Sequence, residues 1–233
     1  MQRLGFTRSA HQADHLLLTP DTFVRAPRPG MRNATAIVHV APAAGARFTQ
    51  YTAEFEPGGS LGPADGERFV YVLEGEVTVE GLARRPGSYA YFPPGSHAQV
   101  TADAAACVAV IEKPYDGDAP PAMFFGDEAD VQSKPLMDDP DLQVRQLIPG
   151  DPAFDFAVNT MTFQPGASLA MVEMHVMEHG LLMLAGGGIY RLGEHWYPVT
   201  AGDFIWMAPY CPQWFGAIGK VPAKYLIYKD WNR

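Results

Sequence analysis

Phe55-Glu56-Pro57-Gly58-Gly59-Ser60-Leu61 recurs downstream as Phe163-Gln164-Pro165-Gly166-Ala167-Ser168-Leu169. Each copy closes a run in which apolar and polar residues alternate, the period of a half-buried strand, and each carries a Pro-Gly turn. The echo continues. Tyr71-Val72-Leu73-Glu74-Gly75-Glu76-Val77 is answered by Leu182-Met183-Leu184-Ala185-Gly186-Gly187-Gly188, and Gly87-Ser88-Tyr89-Ala90-Tyr91-Phe92-Pro93 by Gly202-Asp203-Phe204-Ile205-Trp206-Met207-Ala208. Two copies of one β unit are the economical reading. The 23 glycines and 21 prolines fall between short runs rich in Val, Ile, Tyr and Phe, and long helical periodicities are absent, so the expected fold class is all-β, a sandwich or barrel.

Around this repeat the chain divides into an N-terminal arm over 1–34, a first barrel over 35–113, a connector over 114–149 and a second barrel over 150–233. The connector is read from Pro114, Pro120, Pro121, Pro135, Pro140 and Pro149 together with an acidic run. In the arm, Leu16-Leu17-Leu18 is apolar enough to pack on a body or on a neighbouring subunit, which points to a homo-oligomer. A formal net charge of -9 argues against nucleic acid and against an anionic membrane surface as partner. Cys107 and Cys211 are too few for a disulfide framework. No apolar segment opens the chain and none is long enough to span a bilayer, so a soluble cytoplasmic protein is expected.

The chemistry concentrates in Glu173-Met174-His175-Val176-Met177-Glu178-His179, read together with Gln213. On a strand Glu173, His175 and His179 share one parity and would face one cation, the carboxylate supplying a hard oxygen beside two imidazoles. The same residues also spell His-x-x-Glu-His, the inverted zinc-protease motif, with Glu178 as base. Gly180 and Gly186-Gly187-Gly188 leave too little helix for that motif. Gln213 alone reads as a surface amide and gains meaning only from its place in the repeat. Alternation puts Tyr225, Ile227 and Lys229 on one face of a terminal strand. Cys211 beside Pro212 reads as packing rather than as a nucleophile.

The Pro-Gly turn, the ligand strand, the glycine past the third ligand and the Gly-led strand before a fourth ligand resemble a cupin barrel, here present twice as a bicupin. More narrowly, Glu173-x-His175-x3-His179-Gly180-Leu181-Leu182, Trp196-Tyr197-Pro198-Val199, Ile205-Trp206-Met207-Ala208-Pro209, Pro212-Gln213-Trp214, Tyr225-Leu226-Ile227-Tyr228-Lys229-Asp230 and, in the arm, His15-Leu16-Leu17-Leu18-Thr19-Pro20-Asp21 closely resemble the (S)-ureidoglycine aminohydrolase family. That resemblance implies a C–N hydrolase of allantoin and purine degradation that acts on a small anionic ureido substrate. It implies Glu173, His175, His179 and Gln213 as metal ligands, a departure from the His-x-His pair, Glu and His usual in cupins. It also implies Glu173, Lys229 and Tyr225 as catalytic groups and Tyr190, Tyr225, Lys229 and Glu173 around the substrate. Mn(II) suits this mixed donor set best, and Zn(II) or Fe(II) fit the same residues.

The first copy serves as an internal control. Matching Gly75 to Gly186 puts Gly62, Ala64 and Arg68 at the ligand positions, and matching Gly87 to Gly202 puts Ala98 opposite Gln213. Shifting the gap brings Asp65 and Glu67 opposite Glu173 and His175 but still supplies no third or fourth ligand. The first barrel is therefore expected to be metal-free, with a structural and assembly role. Two other readings remain open on sequence: another mononuclear-metal cupin enzyme, such as an Fe(II) dioxygenase, and a non-enzymatic bicupin that binds a ligand.

Overall fold

The computed structural model describes residues 5–230. Among them regular structure is β throughout, apart from three short 3-10 turns. The chain forms two compact units, one built from Val24–Val131 with Leu147–Asp155, the other from the chain up to Phe23, Gln132–Gln146 and the chain from Phe156 onward.

The repeat is visible strand by strand. In the first unit the strands Ser88–Phe92, Glu67–Glu74, Ala106–Lys113 and Thr49–Leu61 lie side by side in that order; in the second, Phe204–Met207, His179–Ala185, Ala223–Lys229 and Ala157–Phe163 do the same. Each unit adds the same antiparallel trio, Leu82–Arg84, Val77–Val79 and Val100–Ala102 in one and His195–Thr200, Gly187–Leu192 and Gln213–Ala217 in the other. Gly75 and Gly186 show why the glycines recur. Both have positive φ (72° and 62°), and a Cβ at either would come within 2.5 Å of the Ala105 carbonyl or 2.4 Å of the Pro222 carbonyl, so any other residue would strain and collide there. Each unit buries its own core, Tyr51, Phe55, Val70, Val108 and their neighbours in the first, Phe163, Leu181, Phe215 and Tyr225 in the second. Period-2 alternation decides which side chains enter these cores.

The segments outside the expected barrels are structured differently from the sequence reading. The arm expected over 1–34 is split, the chain up to Phe23 belonging to the second unit and 24–34 to the first, while its Leu16-Leu17-Leu18 run packs on a body as expected: His15–Leu18 pairs antiparallel with Phe204–Met207 and sends fully buried Leu17 into that core. Residues 114–149, expected as a connector, contain Phe124–Asp127, which pairs with Ser88–Phe92 at the equivalent edge of the first unit. They also contain the hairpin Lys134–Leu136 with Asp139–Gln146, which extends the second sheet beside Ala157–Phe163. Met31–Val40 lies in the same place beside Thr49–Leu61, so the first repeat begins inside the segment assigned to the arm. The prolines mislead because they are compatible with edge strands: Pro135 sits on the outermost strand, where one side of the backbone needs no ladder partner.

Candidate metal centre

Glu173, His175 and His179 do not share one continuous strand. Glu173 sits in an isolated antiparallel bridge to Gln213, with both backbone amides donating to the opposite carbonyl at 2.8 Å. The chain then bends at Val176 and Met177, and the strand His179–Ala185 begins at the third residue. The parity argument holds locally, since Met174 and Val176 are exposed while Glu173 and His175 turn toward each other. The Tyr210 N–H donates to the His175 carbonyl at 2.6 Å and ties the bend down. No α-helix occurs here, and Glu178 is buried as an acceptor for Trp206 Nε1 at 3.2 Å, so the inverted zinc-protease reading is excluded.

The side chains meet pairwise. His175 Nε2 lies 3.2 Å from Glu173 Oε2, and the His175 and His179 rings stand edge to face with centroids 5.5 Å apart. Tyr190 donates its hydroxyl to Gln213 Oε1 at 3.2 Å. Lys229 is the cross-strand neighbour of His179. Tyr225 lies four pairs further along the same ladder, against Met183, its ring packed on Phe163 and Phe215.

Burial sets the protonation states. It drives the His179 imidazole down to about 3, helped by the charges of Lys229 and His175, so the ring is neutral and keeps a lone pair for a cation. Its Nδ1 is buried and meets the geometry of no hydrogen bond, although the Tyr228 and Glu178 carbonyls lie near enough to favour a proton on the ring. Lys229 is lowered by burial, a shift that Glu173 opposes. The Tyr190 and Tyr225 phenols are pushed well above their ordinary value, first by burial; Glu173 adds to the shift of both and Tyr190 to that of Tyr225. Both therefore remain hydrogen-bond donors at any physiological pH. The donor types suit a divalent cation: two imidazoles, that of His179 neutral, one carboxylate and one amide oxygen that also accepts from Tyr190.

A second cluster was not foreseen from sequence. Asp14, His15 and Cys211 bring ligand-type atoms within 4.8 Å of one another. Here, however, His15 Nδ1 is bonded to Asp14 at 2.8 Å and Nε2 to the Tyr197 hydroxyl at 2.9 Å, and burial followed by Asp14 pushes the Cys211 thiol up to about 12. With both ring nitrogens satisfied and the sulfur protonated, the group is a hydrogen-bonded anchor of the arm strand. His15 carried a signal, as a fully buried histidine at the head of an apolar run.

Comparison with known proteins agrees with this architecture. A family model described as "Cupin domain" matches residues 159–228 and one described as "EutQ-like cupin domain" matches residues 42–115. The chain is 41% identical to the (S)-ureidoglycine aminohydrolase of Arabidopsis thaliana, with 98% of this chain and 80% of that one covered. It is 33% identical to the (S)-ureidoglycine aminohydrolase of Escherichia coli, covering 93% and 88%. The crystal structure of protein Ylba from E. coli superposes with a TM-score of 0.85 at 30% identity, covering 97% of this chain and 95% of that one.

Proposed function

The chain belongs to the (S)-ureidoglycine aminohydrolase family of cupins, and on that premise we propose that it carries out its reaction with one divalent metal ion held by Glu173, His175, His179 and Gln213. The activity is hydrolytic release of ammonia from (S)-2-ureidoglycine, giving (S)-ureidoglycolate. Manganese(II) suits the donor set, and zinc(II) or iron(II) compete for the same residues according to supply. When bound, the ion supplies Lewis-acid stabilisation of developing negative charge and a fixed point for the substrate.

The chain's own residues do the rest. The carbon that loses ammonia carries an amine, a ureido nitrogen and a carboxylate, so the ureido lone pair can expel the amine once that amine carries a proton. Water adds to the same carbon, and one water is consumed for each ammonia released. Lys229, lowered by burial yet drawn by Glu173, is a cation at the site suited to holding the substrate carboxylate and passing a proton to the leaving amine. Tyr225 offers a permanent donor, and the free electron pairs of Glu173 take up the proton of the attacking water. Tyr190 is committed to Gln213, so its part is to hold the amide oxygen in place. The observation that carries this reading is the contact of Glu173 with His175 beside neutral His179, with Gln213 locked to Glu173 by two backbone hydrogen bonds.

Assembly into a homo-oligomer and a cytoplasmic location complete the proposal. Met171, Val172, Met174, Val176 and Tyr210 are exposed on and beside the ligand-bearing bend, and both cysteines are free. No helix is long and apolar enough to cross a membrane among the described residues. The test is ammonia release from freshly generated ureidoglycine by protein stripped with a chelator, then resupplied with Mn(II). Loss and recovery of turnover are expected; full turnover by stripped protein would contradict the metal assignment.

A further inference from the structure

The first unit keeps a cavity where the second keeps its active site. Arg68 pairs across strands with Glu112 on one side and Phe92 on the other, as His179 pairs with Lys229 and Met207. Arg68 therefore stands at the position of the metal ligand His179, and Glu112 at that of Lys229. The cavity they line measures about 730 Å³, within the range of small-molecule sites.

Its charges are inverted and unequal. Glu112 Oε1 accepts from Arg68 Nε and from the Tyr51 hydroxyl, each at 2.8 Å, while Oε2 accepts from Arg28 Nη2 at 3.1 Å. Two guanidinium groups thus face one carboxylate. Arg68 is spent, its Nη1 donating to the Gly62 carbonyl at 2.6 Å. Arg28 is not: it stacks over the Tyr51 ring at 4.3 Å, and among the described residues its side chain makes no hydrogen bond beyond the one to Glu112. Lys113, also on the lining, is neutralised by Asp155 at 2.5 Å, and the remaining acid of the lining, Asp65, is exposed. Beside these polar groups, Pro29, Leu61, Pro94 and Pro114 give the walls an apolar part.

We propose that this cavity is a second ligand site, which binds a small organic carboxylate without catalysis. An arginine with unused N–H groups, pre-oriented on an aromatic face, matches a planar carboxylate bidentately, and the apolar part of the wall at Pro29, Leu61, Pro94 and Pro114 favours a short organic body over a bare inorganic anion. With no metal ligand set there is nothing to turn the bound molecule over, so occupancy alone is the output.

Isothermal titration of the metal-loaded protein with (S)-ureidoglycolate, and separately with succinate, reads the site. At least one of the two is expected to show a binding event that Lys229→Met leaves in place, that Arg28→Gln weakens by about ten- to a hundredfold, and that Asp65→Asn tightens by removing a like charge. Opposite responses from half-buried Arg28 and exposed Asp65 separate lost recognition from lost folding. A response to ureidoglycolate assigns the site to the product of the reaction proposed above; a response to succinate alone assigns it to a carboxylate of another source and holds even if that reaction is wrong. Absence of any Lys229-independent carboxylate binding, or binding indifferent to Arg28→Gln, overturns the proposal.

Discussion

Replacing Lys229 by Met keeps most of the apolar stem and removes the ammonium. Lys229 is half-buried at the end of Ala223–Lys229, paired across the strand with His179, and its charge helps to lower the His179 imidazole. Two effects of opposite sign follow. Turnover should fall by roughly 10²- to 10⁴-fold, the usual size of a lost acid–base group, or about 2.7–5.4 kcal/mol of transition-state stabilisation. Metal affinity should stay the same or rise, because a positive charge beside the ligands has gone. Steady-state ammonia release from fresh ureidoglycine, run on protein whose metal content has been measured in the same sample, checks both. Near-wild-type turnover would make Lys229 a packing residue and hand the proton transfers to Glu173 and water. A loss of metal equal to the loss of turnover would refute the reasoning in another way, since the lysine would then be supporting the ligands rather than the substrate.

Tyr190→Phe removes the hydroxyl that holds Gln213 Oε1, and metal affinity measured by competition with a chelator should drop by about ten- to a hundredfold with the fold intact; unchanged affinity would leave Gln213 positioned by its backbone alone. Leu17→Ala empties a fully buried position where the arm enters the second core, and the unfolding transition of that unit should lose about 2–5 kcal/mol. Glu67 is held up to about 9, by burial and then by Asp155, whereas Asp155 is raised by burial but ends lowered because hydrogen bonds from Glu67 and Lys113 outweigh it. A raised folded-state value means that the contribution of Glu67 is complete below the ordinary 4.5 and is lost as pH climbs toward 9, at up to roughly 1.4 kcal/mol per pH unit. Glu67→Gln should flatten that decline, so thermal midpoints of variant and wild type should diverge between pH 5 and about 9 in favour of the variant; parallel curves would mean that Glu67 is ionised in the fold.

Much of this was legible in the chain, and the limits are physical. The glycines at 75 and 186 announced the repeat because a positive φ against a neighbouring backbone leaves few residue choices. Glu173, His175 and His179 stood out because carboxylate and imidazole at alternate positions are rare without a cation to share. What stayed hidden depends on long-range pairing. Nothing local in His15–Leu18 says that its partner is Phe204–Met207, and a Pro-rich stretch looks the same whether it is a loop or an edge strand. The role of Tyr190 turns on a hydrogen bond to a residue on another strand, which periodicity cannot reveal. Arg68 was visible at the third ligand position of the first copy, but its pairing with Glu112, and hence the inverted charge of that cavity, needed the register.

We propose one metal ion in the second barrel, on Glu173, His175, His179 and Gln213, and none in the first. Elemental analysis of purified protein, wild type beside the His175→Ala/His179→Ala double variant, tests it most directly. About one divalent metal per chain is expected in the wild type and close to none in a folded double variant. Two tightly held metals per chain, or full metal content in the double variant, would contradict it.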